Sequence, residues 1–191
     1  MNKEGIKLKN RILCIGDSNT WGYMPGSGKR YEKEVRWTGR IAQALQQEYE
    51  VVEEGMNGRT TAFTDRIEPG TCALDYLYPC LISQFPLDCI IVMLGTNDTK
   101  IRYGVNAVEI GYGIDEVLLQ IEDACRRKGQ NPVKIVIAPA KLYPKPEWVE
   151  FSEESCRKAI QLTEEYRQIA AIHKAHFLSA AEILDAKCIG S

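Results

Sequence analysis

The sequence predicts an α/β protein, a three-layer α/β/α sandwich with a doubly wound parallel sheet in the middle, and three observations predict it. Short β-rich apolar runs alternate with longer stretches of helical periodicity along the chain. The apolar runs are continuous rather than alternating, the pattern of strands covered on both faces. The segments between them are long enough to hold a helix, which parallel neighbours require and a tight hairpin does not.

Taken in order, RILCIG (11–16) is the first strand, and an amphipathic stretch from about Val35 to Tyr49 is the first helix of substance. VVEE (51–54) is the second strand, and a helix follows a loop over roughly Cys72 to Phe85. CIIVMLG (89–95) is the strongest strand. After it, Ile110, Ile114, Val117, Leu118 and Ile121 recur at helical spacing in a long helix that ends at Gly129, a natural C-terminal stop. VKIVIAPA (133–140) is a buried strand bracketed by Pro132 and Pro139. Ser152 caps a helix to His173, with Glu153 and Glu154 in its first turn and Ala159, Leu162, Tyr166 and Ile169 on its apolar face. HFLSA (176–180) is a last short strand. No repeat or linker divides residues 1–191, so a single domain is expected.

Composition narrows the function. Hydrophobic residues make up 45% of the 191 and charged residues 26%, an ordinary globular balance. With Lys+Arg 24 against Asp+Glu 26 and a net charge of -2, there is no basic surplus for a phosphate backbone, so nucleic acid is not an expected partner. The polar start MNKEGIKLKNR has no apolar core like that of a signal peptide, and no run of ~18 apolar residues could span a bilayer. The seven cysteines are odd in number and lack C-x-x-C or zinc spacing, so they read as free thiols in a reducing compartment, with no metal. A cytoplasmic location follows as the expectation, and a homo-oligomer is left open.

In a doubly wound sheet, ligands sit beyond the carboxyl ends of the strands. Three such ends carry polar turns: Gly16-Asp17-Ser18-Asn19-Thr20, Gly55-Met56-Asn57-Gly58-Arg59-Thr60-Thr61 and Gly95-Thr96-Asn97-Asp98-Thr99. A serine on a tight strand-to-helix turn exposes its hydroxyl, and the N–H groups after it point outward. A glycine turn offers another N–H, and Asn97 can add a side-chain donor. Together they supply a nucleophile and a three-donor oxyanion hole, the parts acyl transfer requires.

On ILCIGDSNTWG, VRWTGRIAQAL, VVEEGMNGRTT and DCIIVMLGTNDTK, in that order and spacing, the chain resembles the SGNH or GDSL hydrolases, in their bacterial arylesterase-like branch. The resemblance covers nearly the whole chain and implies a flavodoxin-like doubly wound fold and a serine esterase that uses no cofactor on small ester substrates. It implies that Ser18 is the nucleophile, that Gly58 N–H and Asn97 Nδ2 join the Ser18 N–H in the oxyanion hole, and that Asp17 orients the turn. One departure stands out. The family's Asp-x-x-His, which supplies the general base and its orienting carboxylate, is absent before Ser191, and the only histidines, His173 and His176, flank the start of the last strand. A strand start lies across the sheet from Ser18, so the expectation is that the Asp and His lie beyond Ser191.

Each motif also has a plainer reading. Ser18 can be a helix N-cap, and Asn97-Asp98 can be turn formers. Arg59 and Arg36 can bind an acidic substrate group or sit in surface ion pairs. Trp21, Tyr23 and Trp37 can line an acyl pocket or pack as core. GYMPGSGKR (22–30) imitates a phosphate loop, but Arg30 stands where Ser or Thr is required and the glycine spacing is wrong, which leaves a surface loop. The alternatives to an esterase are an acyltransferase or perhydrolase on the same groups, and a non-catalytic flavodoxin-like module that binds small anions.

Overall fold

The computed structural model describes residues 9–143 and 149–183. Five parallel strands, β1 (Asn10–Gly16), β2 (Tyr49–Gly55), β3 (Cys89–Met93), β4 (Val133–Ala138) and β5 (His176–Ser179), form one sheet in the order β2-β1-β3-β4-β5. The chain steps outward from β1 in both directions, so the doubly wound topology predicted from the sequence is the one observed. Gly16 is level with Gly55 on one side and Met93 on the other, which aligns the ends of three strands.

Alternation along the strands sends neighbouring residues to opposite faces. Leu13, Ile15, Ile90, Val92 and Val136 meet the apolar faces of α3 (Ala73–Gln84), α4 (Ala107–Lys128) and α5 (Glu153–Ile172). Ile12, Cys14 and Ile91 face the other way, against Trp37 and Ile41 of α2 (Trp37–Ala44). The two sides are unequal: at the β4–β5 end of the second side Ile135 and Ile137 are only half-buried and Leu178 is exposed.

Helix α4 shows how the sequence sets its own limits. Asn106 accepts from the Glu109 N–H (3.0 Å) while the Glu109 carboxylate accepts from the Asn106 N–H (2.7 Å), and Gly129 ends the helix in the left-handed region. Ile110, Ile114, Val117, Leu118 and Ile121 are fully buried, each stabilising the fold by about 1.5–3 kcal/mol relative to exposure. Ile114→Ala would leave a void costing about 2–5 kcal/mol. In α5, Ser152 accepts from the Ser155 N–H (3.4 Å) as its pattern predicts.

Two expectations need adjustment. The helix expected over Val35 to Tyr49 spans only Trp37–Ala44, because residues 45–48 turn back toward β2. β2 is half-buried rather than buried on both faces, since it is an edge strand. Three short pieces have no counterpart in the sequence reading: α1 (Ser18–Trp21) and two single 3₁₀ turns, Asn97–Thr99 and Ile101–Tyr103. None is long enough to show a period. A final turn, α6 (Ala180–Ile183), follows β5.

Candidate active site

All three polar turns stand at the carboxyl edge of the sheet. The first leaves β1 through Asp17, which is fully buried and caps α1: its Oδ1 accepts from the Asn19 N–H (2.8 Å) and from Asn19 Nδ2 (3.1 Å). Ser18, half-buried, is the first residue of α1. That helix sits directly on the end of β2, where a Cβ on Gly55 would come within 2.2 Å of the Trp21 nitrogen, so only glycine fits.

The second turn is tied to the first by the Met56 N–H, which donates to the Gly16 carbonyl (3.1 Å). Gly58 has φ +80, a backbone conformation that selects glycine, while a Cβ there would only nudge the flexible Glu68 carboxylate at 3.0 Å. Arg59 donates its N–H to Met56 O (3.2 Å), closing the turn.

The third turn is stitched to the second in two places. Asn97 Nδ2 donates to the Arg59 carbonyl (3.0 Å), and Asp98 Oδ1 accepts from both the Thr61 N–H (2.8 Å) and the Thr61 hydroxyl. Asn19 Nδ2 lies 3.4 Å from Thr96 Oγ1, which joins the third turn to the first. Ser18, Gly58 and Asn97 are therefore each adjacent to a residue bonded to another of the three turns. Among the described residues, neither the Ser18 N–H, the Gly58 N–H nor the Ser18 hydroxyl has a hydrogen-bond partner, and Asn97 Nδ2 has one acceptor for its two hydrogens.

Around these donors the charged groups are buried. Burial pushes the Asp17 carboxyl upward against the Asn19 hydrogen bonds, and pushes Asp98 up to about 6 against those from Thr61. Burial also lowers Arg59 from the ordinary arginine value. On the outer side of Gly58, Arg102 pairs with Asp65 (2.6 Å), Glu68 (2.7 Å) and Glu150, and the buried Lys100 reaches Glu68 (3.4 Å) and Glu150 (3.3 Å). Sequence reasoning missed this network. Its members are scattered from 65 to 150, and only the acidic or basic type of each, without a local pattern, is visible beforehand.

Of the other predicted residues, Trp21 is half-buried three positions after Ser18, with its ring beside Tyr23 (centroids 6.5 Å apart) and the Arg30 guanidinium (5.4 Å). Trp37 packs under α2 in the second core and Arg36 pairs with Glu53 (3.0 Å), so neither lines the turns. Arg59 as a substrate-binding side chain is corrected: it is 4% exposed and its guanidinium points inward onto the Gly16 (3.1 Å) and Glu54 carbonyls. Burial in the sheet edge, not an open cleft, holds it. Loop 22–30 is a surface feature closed by a Tyr23–Arg30 bridge.

The histidines stand away from Ser18. His176 opens β5, three strands across from β1, a lateral separation of ~14 Å at about 4.8 Å per strand. It is level with Cys14 through Ile135 and Ile91, so it sits lower and farther across rather than at the extreme opposite edge. His173 ends α5 and bonds Asp115 (2.7 Å) and Glu122 (3.2 Å) of α4. Among the described residues no group of His, Cys, Asp and Glu is arranged to hold a metal ion, and no helix is long and apolar enough to cross a membrane.

Residues 14–187 match the family of GDSL-like lipases and acylhydrolases. Among solved structures, the chain is 35% identical to a carbohydrate acetylesterase from Sinorhizobium meliloti, with TM-score 0.86 over 91% of this chain and 85% of that one. It is 34% identical to an aryl esterase from M. smegmatis, with TM-score 0.87 over 92% of this chain and 86% of the other. A comparison with curated protein sequences finds no match.

Proposed function

The chain belongs to the GDSL-like lipase/acylhydrolase family and is a serine ester hydrolase, and we propose that Ser18 is its nucleophile, with the Ser18 N–H, the Gly58 N–H and Asn97 Nδ2 as the oxyanion hole. The observation that carries the assignment is the set of N–H donors left without acceptors on three turns stitched to one another around Ser18. Half-buried donors held on fixed backbone with no protein acceptor can turn to an oxyanion that forms only during reaction.

In the proposed reaction Ser18 Oγ bonds to the ester carbonyl carbon, and the carbonyl electron pair moves onto oxygen, where the three donors hold it. The tetrahedral centre collapses with cleavage of the carbon–oxygen bond to the alcohol, which leaves carrying the proton given up by Ser18. Water then attacks the acyl–Ser18 ester, releasing the acid and restoring the hydroxyl. Asp17 holds the turn: with both the Asn19 N–H and Nδ2 on its carboxylate, it fixes where Ser18 begins α1. Neither His173 nor His176 stands where it could take the Ser18 proton. We propose esters of small acids as substrates, such as the acetyl esters of carbohydrates or the aryl esters that the relatives' names describe. The free thiols suit a reducing, cytoplasmic setting.

The test is hydrolysis of 4-nitrophenyl acetate by the parent protein and by Ser18→Ala. Turnover above the buffer rate is expected in the parent and not in the variant. Parental turnover in a folded Ser18→Ala protein would remove Ser18 from the nucleophile role.

A further inference from the structure

We propose that Arg59 is the positioning residue that keeps the nucleophile turn in register with both oxyanion turns; this rests on the assignment of Ser18, Gly58 and Asn97 above. The side chain is 4% exposed and, among the described residues, forms no salt bridge. Burying a guanidinium without a bonded carboxylate is unfavourable, and an apolar side chain of similar size would fill the same space. What the guanidinium does hold is backbone. One terminal nitrogen donates to both the Gly16 carbonyl (3.1 Å) and the Glu54 carbonyl, at the last residue of β1 and the residue before the last of β2. The Tyr76 ring covers its face with the guanidinium carbon 5.0 Å from the centroid, which keeps water off these bonds.

The backbone of the same residue reaches the other two turns. The Arg59 N–H closes the Gly58 turn on Met56 O (3.2 Å), and the Arg59 carbonyl accepts from Asn97 Nδ2 (3.0 Å), directing the second Nδ2 hydrogen elsewhere. Arg59 thus touches the segment two residues before Ser18, adjoins Gly58, and bonds Asn97. The side-chain and backbone halves of this contact are separable, because substitution removes only the side chain. Without the guanidinium, Gly58 and Asn97 remain joined, while the Ser18 turn loses one of its ties to them and keeps the Met56 N–H, the Thr96 contacts of Asn19 and Asp17, and the strand pairing of Gly16.

A sub-ångström shift of Ser18 against its donors weakens transition-state stabilisation more than substrate binding, since Arg59 contacts no substrate. In 4-nitrophenyl acetate hydrolysis, Arg59→Lys, which keeps the charge but not the planar fork, and Arg59→Ala should each lose about 10- to 100-fold in kcat with KM changed less than about twofold. Millimolar guanidinium chloride, far below denaturing levels, should restore part of the Arg59→Ala kcat and leave Asn97→Ala unchanged. Arg59→Lys supplies the answer if Arg59→Ala does not fold, as judged by near-UV circular dichroism. Parental kcat in folded Arg59→Lys, or a KM rise with kcat intact, would overturn the positioning role while Ser18→Ala stays inactive. Parental turnover in Ser18→Ala would instead overturn the nucleophile assignment, and the positioning role with it.

Discussion

The carboxyl edge of the sheet and the α4–α5 side both bury polar groups, but they bond them differently. At the carboxyl edge, side chains bind backbone: Asp17 takes the Asn19 N–H, Asp98 the Thr61 N–H, Asn97 the Arg59 carbonyl, and Arg59 the Gly16 and Glu54 carbonyls. The turns are fixed, and N–H donors are left over. On the other side, side chains bind one another: His173 lies between Asp115 and Glu122, and Glu122 also takes Lys134. A cavity of about 580 Å³ opens there, lined by Glu122, Lys134, His173, Lys174 and His176 among others. Size and the presence of imidazoles do not make it a reaction site, because Glu122, Lys134 and His173 are committed to one another and to Asp115. Uncommitted donors on rigid backbone distinguish the first region.

The sharpest way to break this comparison is to exchange a substitution between the two regions. Asn97→Ala should lower kcat about 10²- to 10³-fold with little change in folding, the usual effect of removing one oxyanion donor. His173→Ala, measured in the same 4-nitrophenyl acetate assay, should leave kcat where it was. A large kcat loss in His173→Ala with the fold intact would bring that side into the chemistry.

A second measurement sharpens the point about the base. Free imidazole should accelerate turnover of the parent severalfold by accepting the Ser18 proton from solution, and should do nothing specific for Ser18→Ala. No difference between the two proteins would mean that proton removal at Ser18 does not limit the rate.

Stability should reverse the order of the two regions. His173→Ala deletes hydrogen bonds to two carboxylates, and a loss of about 1–2 kcal/mol is expected from urea unfolding midpoints at unchanged slope. A pH-dependent effect on stability concerns Asp98. Its carboxyl is raised from 3.8 to about 6 by burial, so its ionisation opposes folding: its contribution is fully favourable below the ordinary value and is lost as pH rises through about 6. Parent stability should therefore carry a downward component over that interval that Asp98→Asn lacks. Asp65 and Glu122 act in the opposite sense, being held below their ordinary values with burial outweighed by hydrogen bonds, and they are common to both proteins. Identical pH slopes in the two would contradict a raised Asp98.

Much of this was legible in the sequence, for reasons that vary by element. α4 and α5 declare themselves because each spans several turns with a cap and an apolar stripe, and β1 and β3 because a strand covered on both faces is apolar throughout. The three polar turns were visible because strand ends are where such a sheet places ligands; Asn97 was singled out by residue type, and Gly58 by the family resemblance. Arg59 was misread for a physical reason: a guanidinium near a reactive serine suggests an anionic substrate, and nothing local says that it will satisfy carbonyls of Gly16 and Glu54 instead. The ion network of Asp65, Glu68, Lys100, Arg102 and Glu150 was invisible because pairing across scattered loops leaves no spacing. α1 and the 3₁₀ turn at Asn97 were too short to show a period, although Asp17 already had the chemistry of a cap.

The central claim is that Ser18 is the group made reactive by these turns. Exhaustive incubation with a fluorophosphonate followed by peptide mapping tests it most directly, because the reagent traps the serine that attacks and its phosphoryl oxygen occupies the place of the oxyanion. The account predicts a single adduct on Ser18, absent from Ser18→Ala and slowed in Asn97→Ala. An adduct on a different residue, formed equally in the parent and in Ser18→Ala, would contradict it.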